Sequence, residues 1–99
     1  MKINFANKFK NFNGDTLKDG ESKKELSLRD VCVDSLLAVD KRETLDSEEK
    51  LKRYSLALGI FNGKKDSLSA EDIVLLKELI GKYYSTLIVG QALPMLDSD

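Results

Sequence analysis

In Leu68-Ser69-Ala70-Glu71-Asp72-Ile73 a serine flanked by a leucine and followed by an acidic pair announces a helix, and the rest of the chain is arranged around it. Ser69 stands where an N-cap hydroxyl accepts from the backbone N–H of Asp72, and Asp72 can reach back as in a capping box. Leu68 and Ile73 have the spacing of a hydrophobic staple. Glu71 and Asp72 place negative charge at the positive end of the helix dipole. The pattern then runs to about Tyr84. Ile73, Leu76, Ile80 and Tyr83 or Tyr84 form one apolar stripe, Leu75 and Leu79 widen it, and Lys77, Glu78 and Lys82 hold the wet side. So wide a stripe predicts a helix packed against more than one neighbour.

The same grammar recurs upstream in Leu26-Ser27-Leu28-Arg29-Asp30-Val31. It opens a helix of about 28–38 with Leu28, Val31, Cys32, Ser35 and Leu36 facing inward. Shared capping chemistry explains this recurrence without an internal duplication. A second helix, about 47–61, is capped at Asp46 or Ser47 with Glu48 and Glu49 in its first turn. Its expected inward face is Leu51, Tyr54, Leu58 and Phe61 with Ala57 beside them, and Lys50, Lys52 and Arg53 stay wet. Asn62-Gly63 stops it. After Tyr84 a short, almost wholly apolar helix of about 86–93 is expected, closed by Pro94, with Met95 and Leu96 as a loose end. Gly81 and Gly90 each cost a helix about 1 kcal/mol relative to alanine, which close helix approach would explain.

Upstream of all this, Ile3 and Phe5 alternate with polar neighbours, Phe9 and Phe12 are β-favouring, and Asn13-Gly14 is a hairpin turn signal. A return strand through Thr16 and Leu17 would complete the pair, with its phenylalanines packed on helices because an isolated hairpin is marginal. The expected fold is therefore mainly α: an N-terminal β-hairpin (about 3–18) on a bundle of about four helices (about 28–38, 47–61, 70–84 and 86–93). One domain spans 1–99, with hairpin and charged linker at 1–25, helical body at 26–96 and an acidic tail at 97–99.

Composition removes most chemistry. There is no histidine, and the single cysteine, Cys32, sits in an apolar stripe with no base to activate it. Zinc lacks ligands. An EF-hand fails because a loop starting at Asn62 would put Lys64 third, Ser67 sixth and Ile73 twelfth. The glycines do not form a phosphate loop. Asp30, Asp34, Glu71 and Asp72 are explained by caps or solvated faces. No catalytic, cofactor-binding or metal-binding residue is expected, and the chain is not expected to be an enzyme. The formal charge of −1 comes from interleaved signs, which disfavours nucleic acid; the lysines at 2, 8, 10, 23 and 24 suit protection of a strand edge better. Met1-Lys2-Ile3-Asn4-Phe5 has no signal-peptide core, and the weakly polar run from Leu87 to Leu96 is far short of the roughly 20 residues of a membrane span. With a lone, buried-looking cysteine, a reducing cytoplasm is the expected location.

Tyr83, Tyr84, Leu87, Ile88, Val89, Leu93, Met95 and Leu96 form a dense apolar cluster in a small domain, and such patches mark protein–protein surfaces. The segments Asp30-Val31-Cys32-Val33 with Ser35-Leu36-Leu37-Ala38, Glu49-Lys50-Leu51-Lys52-Arg53-Tyr54 with Leu56-Ala57, and Lys77-Glu78-Leu79-Ile80-Gly81-Lys82-Tyr83 with Val89-Gly90-Gln91-Ala92-Leu93 resemble small uncharacterised proteins of tailed bacteriophages and prophages. The resemblance covers about Phe9 to Leu96 and contains no catalytic motif. Pro94 falls within what looks like a continuous last helix in those relatives, so the end of that helix is open here. What the resemblance implies is an accessory protein of the bacterial host cytoplasm or of a virion, acting through protein contacts in virion assembly or structure, with itself (a homo-oligomer) or a larger phage or host protein as partner. The alternative is an inhibitor of a host enzyme or defence protein; a DNA mimic would need a far more acidic chain. A nucleic-acid-binding regulator ranks third.

Overall fold

The computed structural model describes residues 3–18, 25–38, 44–63 and 68–97. Residues 1–2, most of the charged linker, most of the loops expected after the first and second helices, and Ser98 and Asp99 of the acidic tail lie outside them. Four helices occur in order: α1 (Leu28–Leu37), α2 (Ser47–Phe61), α3 (Ala70–Tyr83) and α4 (Thr86–Asp97). The main pairings are α1 with α2, α1 with α3, and α3 with α4. The central place is thus shared between α1 and α3. At 42 × 32 × 22 Å the molecule is a slab about two helix diameters thick, so every helix keeps an outer face.

The caps form as the spacing requires. Ser27 and Asp30 make a complete capping box, Asp46 accepts from the N–H of Glu49 at 2.8 Å, and Ser69 accepts from the N–H of Asp72 at 3.1 Å. Leu68 is buried and Ile73 packs against the same core, as a staple should. The inward face of α1 is Leu28, Val31, Cys32, Ser35 and Leu36. The Ser35 hydroxyl donates to the Cys32 carbonyl at 2.9 Å, which satisfies it in an apolar setting.

The expected N-terminal hairpin is not present as strands. Among the described residues there are only isolated antiparallel bridges, Lys8 with Ser27, Lys10 with Thr16 and Lys18 with Glu25. The turn is real: Gly14 has φ +90°, its N–H donates to the Asn11 carbonyl at 3.0 Å, and the Asn11 side chain accepts from Asn13 and Asp15. What prevents a ladder is competition for backbone groups. The carbonyls of Asn7 and Phe5 accept from Leu28 and Arg29, at 2.8 and 3.0 Å. With the Asp30 N–H on the Ser27 hydroxyl and the Ser27 N–H on the Asp30 carboxylate, all four orphan donors of α1 are satisfied. Phe9, Leu17 and Leu26 close a triangle in which Leu17 donates to Phe9, Leu26 to Leu17 and Phe9 to Leu26. The segment is a cap and a brace. Ile3, Phe5 and Phe9 enter the core, but Phe12, expected to anchor there, is 98% exposed.

Helix α2 presents the face opposite to the expected one. Arg53, Leu56, Ala57 and Ile60 point inward, and Leu51, Tyr54, Leu58 and Phe61 point out. Both sets have helical spacing, so two stripes compete on one helix. Arg53 supplies its aliphatic stem to the inner one and holds Glu49 one turn back at 3.3 Å.

Helix α4 continues through Pro94 to Asp97. The carbonyl that proline leaves without a helical donor is that of Gly90, four residues back. Burial outweighs the loss: Leu96 is fully buried, and Asp97 pairs with Lys77 of α3. The glycines do not mark close packing, since both are exposed and a β-carbon at Gly81 or Gly90 would meet nothing within 4 Å. Among the described residues no helix is long and apolar enough to cross a membrane.

Candidate protein-contact face

The eight apolar residues of the C-terminal cluster lie in the core or at its rim. Ile88 and Leu96 are core residues; Tyr83, Tyr84, Val89, Leu93 and Met95 are half-buried against it, and Leu87 is half-buried beside the N-terminal turn. The polar atoms around them are held. Tyr84 hydrogen-bonds to Asp34 of α1, and burial first, then the Asp34 carboxylate, push its phenol well above the usual value. Lys82 sits 5.5 Å from the centroid of the Tyr83 ring, within cation–π range. Gln91 clamps Lys10: its Oε1 accepts from the Lys10 N–H at 2.9 Å and its Nε2 donates to the Lys10 carbonyl at 2.7 Å. The side-chain amide thereby plays the part of a neighbouring strand.

Large apolar exposure lies elsewhere. Leu37 at the end of α1 and Leu51, Tyr54, Leu58 and Phe61 on α2 are 44–65% exposed. A groove of about 250 Å³ between the two helices is lined by Val33, Leu37, Tyr54, Ala57, Leu58 and Phe61. Along α2 the spacing is three, four, three, the a/d pattern of a helix-pairing seam. That signal was present in the sequence as the supposed inner face; the sequence alone does not say which of two stripes faces out. Scaled by typical side-chain areas, the five side chains offer roughly 450 Å² of apolar surface, within the range for the largest patch on a monomer. A wider groove of about 780 Å³ lies between the N-terminal turn and α4, beside the exposed Phe12, Leu87 and Gly90.

Neither groove carries reactive groups. Cys32 is buried, and burial pushes its thiol up to about 12, which removes the thiolate a nucleophile needs. Among the described residues no group of three or more His, Cys, Asp or Glu side chains could hold a metal ion. What this geometry can do chemically is bury apolar surface against another protein. The chain matches no protein-family model, no curated protein and no solved structure.

Proposed function

We propose that this protein is a non-catalytic accessory protein of a tailed phage or prophage that works by protein–protein contact through the outer face of α2 and the end of α1. The observation that supports it is the seam of Leu51, Tyr54, Leu58 and Phe61, exposed while Arg53, Leu56, Ala57 and Ile60 take the buried face of the same helix. Phage origin rests on the resemblance of segments in α1, α2 and α3–α4. The C-terminal cluster serves the fold in this account, and the contact face moves to α2.

The test is a photo-crosslinking phenylalanine analogue placed at Tyr54 in the protein expressed in bacterial cells. A discrete adduct, to a second copy or to another protein, is expected from position 54. It should be lost when Leu58→Asp is added, and it should not form from the exposed Lys52 on the far side of the stripe. Absence of any adduct at 54, or equal yields at 52 and 54, would sink the contact reading.

A further inference from the structure

We infer that the partner of the α2 face is a second copy of this chain, seated antiparallel about a twofold axis near Leu56; this rests on the contact reading above. Three observations carry it. The first is area. A standard interface buries about 800 Å² per partner, near 65% of it apolar in a homodimer, and the roughly 450 Å² exposed by Leu37, Leu51, Tyr54, Leu58 and Phe61 supplies most of that apolar share on one face. The second is self-complementarity. A twofold interface must fit its own image, and the seam runs symmetrically about residue 56, so Leu51 meets Phe61 and Tyr54 meets Leu58 of the second copy.

The third is charge. The charges of α2 are confined to Glu48, Glu49, Lys50, Lys52 and Arg53, and residues 54–61 carry none. A parallel pair would crowd two charged first turns and align two helix dipoles. The antiparallel pair sets Lys50 of one copy beside the carbonyl end of the other, whose last helical turn carries no basic residue and where cations are favoured. The two Lys50 side chains then stand twelve residues apart along the axis, about 18 Å, beyond the Debye length of about 8 Å at physiological salt.

The experiment uses the full chain at tens of micromolar. Light scattering after size exclusion should give twice the 11.1 kDa chain mass, falling twofold to the monomer in Leu58→Asp with unchanged helical circular dichroism. Should that variant unfold, Leu51→Asp, at the most exposed seam position, replaces it. Ser55→Cys, near the axis, should form a disulfide-linked dimer with diamide, and Glu48→Cys should not; native Cys32 is buried and silent. A crosslink at 48 but not at 55 overturns the antiparallel arrangement. A monomeric wild type overturns self-pairing: if the position-54 adduct to another protein persists, the contact reading survives, and if it is absent both fall.

Discussion

Ile60 and Phe61 are adjacent, and truncating each gives opposite results under the two possible faces of α2. In the structure Ile60 is 1% exposed and Phe61 60% exposed. Ile60→Ala deletes three carbon atoms from a packed site. Transfer accounts for about 2.5 kcal/mol, and the cavity left behind brings the loss to about 3–4 kcal/mol, inside the range for such truncations. Against a total stability of about 5–15 kcal/mol for a chain this long, that is a large share. Phe61→Ala removes a ring that is mostly in water and installs a better helix former, gaining back about 0.5 kcal/mol, so its net cost should stay below about 1 kcal/mol.

Urea unfolding followed by far-ultraviolet circular dichroism measures both. It is best done in the Leu58→Asp background, because self-association adds concentration-dependent stability. Ile60→Ala should lower the midpoint by about 2 M or more with an unchanged slope, and Phe61→Ala by less than about 0.5 M. If Phe61→Ala is the costlier of the two, α2 faces the other way and the contact surface proposed on it does not exist.

Leu96→Ala should cost about 2–5 kcal/mol in the same assay, as for a full core leucine, whereas a frayed end beyond Pro94 would lose almost nothing. Gln91→Leu hands the exposed Lys10 N–H and carbonyl to water and should cost about 0.5–1.5 kcal/mol, with faster amide exchange at Lys10 as the local readout. Gly81→Ala meets open space and should raise stability by up to about 1 kcal/mol; a loss would mean the helix needs the glycine for a contact. Cys32 and Tyr84 both have folded pKa values above their unfolded ones, so both are protonated in the native state and their contribution is intact at neutral pH. The unfolded thiol ionises first, near 9, and stability should fall from there towards 12 at up to about 1.4 kcal/mol per pH unit for each group; Cys32→Ala should remove the lower part of that fall.

What was legible in the sequence was what is local. Ser27, Asp46 and Ser69 each act on an N–H three residues away, so the starts of α1, α2 and α3 follow from spacing, as do the ends at Ala38 and Asn62. The inner face of α1 was legible because Leu28, Val31, Cys32 and Leu36 make the longer apolar stripe, with only Val33 and Leu37 off it. The proline rule misplaced the end of α4 because what holds that end is non-local: Leu96 in the core and Asp97 on Lys77, twenty residues back. The hairpin failed for the same reason. The carbonyls of Phe5 and Asn7 go to a helix start about twenty residues on, and no pattern within 3–18 records that demand. Apolar density marked the residues from Tyr83 to Leu96 as important without saying whether they face in or out.

Why α2 turns this face outward follows from how closely helices can approach. Helix axes pack at about 8–10 Å according to the side chains between them. Ala57, with Leu56 and Ile60 beside it, lets α1 come near enough for Leu36 and Cys32 to be fully covered. Tyr54 and Phe61 in that position would hold the helices apart and open voids around Leu28 and Val31, at a cost in lost contacts that grows with void volume. The slab is also too thin for α2 to bury both stripes, since nothing among the described residues covers Leu51, Tyr54, Leu58 and Phe61. Arg53 reinforces the choice: on the inner stripe its stem packs and its guanidinium still reaches Glu49. The larger, more aromatic stripe is therefore left in water by the packing needs of α1. Its composition is one that the fold itself does not require, and its recurring three–four–three spacing is what a second helix would use.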